Sequence, residues 1–164
     1  NSKGKDEAYS SVLIKNSCSG DQPLQMSLGA YRMVCSNGAI RFVEDAESEK
    51  VKHTEVNYRD LDRLVASMNV RASKLLTDVN EMKHTGLSIE DMRKLARNAA
   101  SLRYDNLDEI NIDDLFAVSR VEDESNDLWT VFNRIQENLT YDITNMKEDI
   151  RLNQQLFALA ETFA

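Results

Sequence analysis

The segment AYRMVCSNGAIRF, residues 30–42, decides the fold predicted for the first third of the chain. It places two apolar stretches on either side of Asn37 and Gly38. An Asn-Gly pair favours a two-residue type I′ hairpin turn, because both residues tolerate the positive φ angles that this turn needs. The turn predicts two antiparallel strands in which Met33 pairs with Phe42.

Cys35 belongs to the same predicted hairpin. It pairs there with Ile40 and shares the buried face with Tyr31, Met33 and Phe42. A nucleophilic cysteine needs a neighbouring base or a helix N-terminus to lower its pKa, and the local sequence supplies neither. We therefore expect Cys35 to be a small buried hydrophobe.

The remainder of residues 8–56 also has the alternation and turn residues of strands. Leu24, Met26 and Leu28 are out of phase with Tyr31 and Met33, which predicts a bulge or bend at Gly29 and Ala30.

The apolar spacing becomes helical from Asn57 onward. One stripe predicts a helix of nearly thirty residues that ends at Gly86, and Ser88 with Asp91 resembles a capping box that begins a second helix. A short helical turn is predicted at 112–118 and two more helices follow. The apolar positions of the long helix are Leu61, Leu64, Val65, Met68, Ala72, Leu75, Leu76, Val79 and Met82.

These patterns predict an α+β fold, with a small antiparallel sheet of N-terminal hairpins followed by a long helix and three to four further helices. Residues 1–164 are expected to form a single domain, strand-rich over 1–56 and helical over 57–164. The chain begins at Asn1 rather than Met, so we expect it to be a fragment that lacks an N-terminal segment.

The net charge of −8 is concentrated in the last third of the chain, where 14 acidic residues face 4 basic ones over 105–164. Such a surface repels phosphate backbones and disfavours broad nucleic-acid binding. No apolar run approaches about 18 residues, so no membrane span is expected. Two cysteines without a secretory leader favour a reducing cytoplasm.

Soft metal ligands are sparse and widely spaced. Cys18, Cys35, His53 and His84 are separated by 17, 18 and 31 residues, without a close ligand pair. No metal site and no cofactor are predicted. His84 is expected to complement the C-terminal end of the long helix.

Several motifs resemble the phage and plasmid proteins grouped as domain of unknown function 932. They are NSCSG (16–20), LGAYRMVCSNG (28–38), KHT (52–54), LWTVFNRIQENL (128–139) and LNQQLFALAE (152–161). In that family the first motif usually carries an aromatic residue or His and then Asp, where this chain has Cys18 and Ser19. The resemblance implies a mobile-element origin and a bacterial cytoplasm, without an established activity. The motif residues that it marks are Asn16, Ser17, Gly20, Arg32, Cys35, Asn37 and Gly38.

The polar residues of the matched helix are the first candidate site. Asn133 and Glu137 lie one turn apart, as do Arg134 and Asn138, beside an apolar stripe. With Gln136 they could hold a ligand or form a buried hydrogen-bond network that only supports the fold. Trp129 is interpreted as a core contact rather than a base-stacking platform.

A basic cluster on the second predicted helix is the other candidate site. Arg93, Lys94 and Arg97, with Arg103 beyond, could contact phosphates. The alternative is a solvated helix face whose later cations favour the helix dipole.

Three hypotheses of function follow. The first is an accessory protein of a phage, prophage or plasmid that acts by binding a protein partner or itself. The second is a protein that binds or anneals single-stranded DNA. The third is an enzyme that uses Arg134 and Glu137, and it ranks lowest. The first ranks highest, because no catalytic triad or phosphate-binding glycine loop is seen in the sequence.

Overall fold

The computed structural model describes the backbone of residues 8–15, 24–34, 39–40, 43–51 and 58–164, and the side chains of 62–164 except Leu64 and Met146. The chain divides into two compact units, residues 1–77 and 78–164. The expectation of a single domain stays a prediction.

Among its described residues, the first unit contains four strands, whose backbone alone is described. They are β1 (Ala8–Lys15), β2 (Leu24–Val34), β3 (Ala39–Ile40) and β4 (Val43–Val51). Strand β2 is the longest and pairs antiparallel with each of the others. The register between β2 and β4 shifts between Ser27 and Gly29, just before the bend predicted at Gly29 and Ala30.

The hairpin register differs from the prediction. Met33 pairs with Ile40 rather than with Phe42, and Val34 pairs with Ala39. The observed pairing is thus shifted by two residues from the predicted register, and neither of these pairs matches it. Cys35, Asn37 and Gly38 lie outside the described residues, as do the side-chain faces predicted for this hairpin.

Helix α1 spans Tyr58–His84, a length of 27 residues that confirms the predicted long helix. Met68, Leu75, Val79 and Met82 are buried along it. The buried stripe is narrower than the predicted one, since Val65 and Leu76 remain 49% and 39% exposed. His84 lies in the last turn, with its Nδ1 2.7 Å from the carbonyl oxygen of Asn80.

The second unit contains the remaining helices. They are α2 (Ile89–Ser101), α3 (Leu128–Thr140) and α4 (Met146–Glu161), with two 3₁₀ helices, Ile112–Phe116 and Val121–Asp123, between α2 and α3. The capping box of α2 is confirmed, because the Ser88 hydroxyl accepts from the Asp91 amide while the Asp91 carboxylate accepts from the Ser88 amide. That carboxylate has a lowered pKa, chiefly because it accepts a hydrogen bond from the Ser88 side chain.

The core of the second unit is formed by apolar faces of its own helices. Helix α3 is its centre, and its Phe132 ring meets the ring of Phe157 on α4 edge-on at 5.9 Å between centroids. Helix α2 contributes small residues that allow close packing. The buried apolar residues of the three helices are Met92, Leu95, Ala96, Ala99, Ala100, Leu128, Trp129, Val131, Phe132, Ile135, Leu139, Leu152, Leu156, Phe157 and Ala160.

The predicted α+β fold class is corrected by this packing. Where side chains are described, residues 62–164 apart from 64 and 146, the chain is helical and the buried residues lie on helices and helical turns. The one strand-like contact there is an isolated bridge between Gly86 and Asp127. The change in side-chain period near position 56 marks where helices begin, and the apolar faces of α2, α3 and α4 are covered by one another.

Candidate functional site

Helix α3 carries the first candidate site and is positioned at its start by Asp127. The Asp127 carboxylate accepts a hydrogen bond from the Thr130 amide at 2.8 Å, the usual N-cap arrangement. The helix is buried on most of its surface. Its polar side chains must therefore find partners inside the protein.

Arg134 connects α3 to the segment that precedes it. Its guanidinium donates to the carbonyl oxygens of Phe116 at 2.9 Å and Ser125 at 3.0 Å, and the residue is only 4% exposed. We call residues 112–127, which include both 3₁₀ helices, the strap. Arg134 thus holds the strap at two points that are nine residues apart in sequence.

Two neighbours of Arg134 hold the same strap. The Asn138 amide donates to the carbonyl oxygen of Leu115 at 3.0 Å. Glu137 accepts from the guanidinium of Arg120, which also donates to the buried carboxylate of Asp123 at 2.8 Å. One face of α3 therefore fixes the strap through three polar side chains, those of Arg134, Glu137 and Asn138.

The other two predicted residues point elsewhere. The buried Gln136 donates to Asn153 of α4 at 2.7 Å, and Asn133 donates to the carbonyl oxygen of Trp129 in its own helix at 2.7 Å. The five candidates are thus not gathered around one point. Arg134, Glu137 and Asn138 share the strap, while Gln136 faces α4.

Trp129, the single tryptophan, is fully buried, as its interpretation as a core residue requires. Its ring lies 5.9 Å from that of Phe132, and its indole N–H has no hydrogen-bond acceptor among the residues that the structure describes. Its side chain is not available for stacking on a base from solvent.

A cleft of about 340 Å³ lies between the start of α2 and the strap. Its lining is mostly apolar, and two of its residues, Ile89 and Val118, are each 50% exposed. Arg134 closes one side of it. The lining residues are Leu87, Ile89, Met92, Phe116, Ala117, Val118, Asn126 and Arg134.

The predicted phosphate contacts are dispersed. Arg93 forms two hydrogen bonds with Asp113 at 2.9 and 2.8 Å, which lower the pKa of that carboxyl, and Lys94 lies 5.9 Å over the ring of Phe163. Arg97 is exposed on α2.

Arg103 follows α2 in the chain and lies beside the C-terminal end of α3. Its guanidinium donates twice to Asp142, at 2.9 and 3.0 Å, and to the carbonyl oxygen of Leu139. Three of the four predicted cations thus have partners within the helical unit.

The residues marked by the family resemblance lie in the first unit. Arg32 is in β2, where it is paired with Ala8 of β1, and its side chain is not described. Asn16, Ser17, Gly20, Cys35, Asn37 and Gly38 lie outside the described residues. Among the side chains that are described, no group of three or more His, Cys, Asp or Glu could hold a metal ion.

Sequence reasoning missed the partners of the site. Arg120 and Asp123 lie between the helical turn predicted at 112–118 and the next predicted helix, and Asn153 lies on a helix predicted from its apolar residues alone. The exposed pair Ile89 and Val118 was also missed, although Ile89 occupies an apolar position of α2. In the sequence, the one signal for this exposed pair was an apolar residue, Ile89, next to the capping box.

Comparison with known proteins agrees with the motifs. The family described as Domain of unknown function (DUF932) matches residues 1–157. The chain is 25% identical to the UPF0380 protein YfjQ of Escherichia coli (strain K12) over 168 residues, and 26% identical to the UPF0380 protein YafZ of the same strain over 177 residues. Each alignment covers 92% of this chain and 61% of the relative. No solved structure matches.

The chain therefore belongs to the DUF932 family. It spans 61% of the length of these two relatives. Among the described residues, no helix is both long enough and apolar enough to cross a bilayer.

Proposed function

We propose that this chain acts by binding a protein partner, as an accessory protein of a mobile element in a bacterial cytoplasm, and that the partner occupies the cleft between α2 and the strap. The mobile-element origin rests on the family resemblance. The binding role rests on the cleft, where Ile89 and Val118 present apolar surface that the unit itself does not cover.

The polar contacts around the cleft support a rigid binding surface. Arg134 fixes the strap on either side of Val118, and the capping box fixes the backbone next to Ile89. A wall that is already ordered loses less conformational entropy when a partner binds. The site therefore resembles a preformed docking surface.

The side-chain contacts give less support to the two alternative functions, binding of single-stranded DNA and catalysis. Two of the four predicted phosphate contacts of single-stranded DNA, Arg93 and Arg103, are engaged with Asp113 and Asp142. Arg134 and Glu137, the pair considered for catalysis, hold the strap.

The test is selection of a random peptide library on the whole chain, followed by binding of the enriched peptides to variants. Ile89→Ser removes apolar surface at the cleft, and Tyr141→Ser is the matched control, because Tyr141 is 74% exposed and lies at the far end of α3. Peptides that lose about fivefold to tenfold in affinity with Ile89→Ser but bind Tyr141→Ser normally support the proposal. Enriched peptides that bind both variants equally overturn it.

A further inference from the structure

The cleft between α2 and the strap combines an apolar wall with one polar place. Six of its eight lining residues are apolar, and the other two, Asn126 and Arg134, contact each other, with Arg134 Nη2 3.5 Å from Asn126 Oδ1. Its volume of about 340 Å³ lies at the low end of the usual range for ligand pockets, about 300–1,000 Å³. The cleft is thus suited to a short group that has an apolar part and one polar part.

The two polar residues present a hydrogen-bond donor and a positive charge. Because the side-chain oxygen of Asn126 faces Arg134, the NH₂ group of the same amide is directed away from Arg134, and it has no acceptor among the residues that the structure describes. The Arg134 guanidinium donates to the carbonyl oxygens of Phe116 and Ser125, which are uncharged groups. A polar group that enters here meets a donor and a cation, a combination that favours an oxygen anion.

The charge of the lining differs from that of the whole unit. Residues 78–164 carry 18 acidic side chains against 9 basic ones, but none of the 18 lines the cleft, where the one charged residue is Arg134. Salt screens exposed charges over about 8–10 Å, whereas it screens partly buried ones much less. The sign of the lining charge, rather than the net charge of the unit, therefore decides which polar group the cleft accepts.

From these observations we infer that the occupant of the cleft is the C-terminal end of a partner protein, with an apolar last residue. This inference rests on the proposed function and specifies its ligand. The last side chain enters between Ile89 and Val118. The terminal carboxylate accepts a hydrogen bond from the Asn126 amide, beside the charge of Arg134. The last residue of a chain carries an apolar group and a carboxylate a few bonds apart, which an internal apolar residue does not.

The probes are dye-labelled pentapeptides in which a flexible serine-glycine spacer precedes a last residue that is leucine, isoleucine, valine, methionine or phenylalanine. Each is made with a free terminal carboxylate and as the terminal amide. A third form, amidated and with aspartate before the last residue, has the net charge of the free acid at a different place. Binding to the whole chain is followed by fluorescence anisotropy at about 0.15 M salt.

At least one free acid is expected to bind about tenfold or more tightly than its amide and its aspartate form, since hydrogen bonds to charged groups are the stronger ones. Asn126→Ala should reduce this preference to about twofold or less, and Asn111→Ala, at an exposed asparagine outside the cleft, should leave it unchanged. Ile89→Ser should weaken the acid and the amide by the same factor, because it changes only the apolar wall.

Three results would each overturn the inference. They are free acids that bind no better than their amides, aspartate forms that bind as well as the free acids, and a preference for the free acid that survives Asn126→Ala.

The proposed function and this inference can fail separately. Library peptides that depend on Ile89, together with free acids and amides that bind alike, would leave a docking cleft that does not select a chain end. A library that yields no peptide dependent on Ile89 would remove the cleft itself.

Discussion

The side-chain amide of Gln136 donates a 2.7 Å hydrogen bond to Asn153, and so joins α3 to α4 inside the core. Asn153 in turn donates to Asp149 at 3.0 Å. Buried amides of this kind stabilise a fold only while both partners are present, because a buried group that loses its partner retains its desolvation cost. This pair gives the first prediction.

Asn153→Ala is expected to lower the free energy of unfolding by about 1–3 kcal/mol, since it leaves the Gln136 amide without this acceptor. Urea denaturation followed by the fluorescence of Trp129, the single tryptophan, measures the change. Gln155→Ala on the exposed side of α4 is the control and should stay within about 0.5 kcal/mol of the parent. Equal effects of the two substitutions would show that the pair does not stabilise the fold.

The strap is expected to open more often when the side chain of Arg134, which holds it, is shortened. Arg134→Lys keeps the charge but cannot reach the Phe116 and Ser125 carbonyls with a planar fork. Hydrogen exchange should then become at least about tenfold faster at the Leu87 amide, which donates to the Asn126 carbonyl oxygen of the strap.

The α4 amides should not change in the Arg134→Lys variant, and the exposed Arg97→Lys is the matched substitution on the same unit. A uniform increase of exchange across α3 and α4 would instead indicate general destabilisation of the unit.

The Arg103 and Asp142 pair predicts a pH dependence. The pKa of Asp142 is lowered, first by its hydrogen bond with Arg103, so its charged form is favoured in the folded state. The stability that it contributes is present above the ordinary carboxyl pKa of 3.8 and is lost as the pH falls through the lower folded-state value.

Asp142→Asn should therefore destabilise the protein at pH 7, and this difference from the parent should shrink as the pH falls below about 4. Urea titrations at a series of pH values give the difference, and Asp105→Asn, an exposed aspartate outside α3, is the control. A difference that is constant down to pH 3 would mean that the carboxylate charge is not what stabilises this end of α3.

The N-cap of α3 gives a further prediction. Asp127→Ala removes the acceptor of the Thr130 amide and should lower the free energy of unfolding by about 1 kcal/mol, while Asp127→Asn should recover most of this loss. Thermal denaturation of the three proteins provides the measurement. If asparagine were as destabilising as alanine, the carboxylate would act by its charge rather than as a cap.

The helices could be predicted from the sequence because helical amphipathicity is local. The bounds of α1 and the capping box at Ser88 follow from residues within a few positions of one another. The predicted hairpin register was wrong at Met33. An Asn-Gly signal does not fix the length of the loop, and a change in that length shifts every pair of the hairpin.

The candidate site was predictable only in part. The sequence indicated which side chains of α3 were unusual, but their acceptors are mostly backbone carbonyls such as those of Phe116 and Ser125. A carbonyl group is present at every residue, so no side-chain pattern distinguishes the two that Arg134 contacts. The predicted fold class was wrong for a related reason. The spacing of apolar residues in a segment indicates its secondary structure, but it does not indicate which other segment packs against it.

The double anchoring of the strap by Arg134 has a consequence for how relatives of this chain can diverge. Since Phe116 and Ser125 are both held on α3, the exposed residues between them, such as Val118, can change in composition without altering the hydrophobic interior beneath, provided that Arg120 and the buried Asp123 keep their pairing. Selection for new partners could then act on a short stretch of surface chain, while the helices that carry it stay the same.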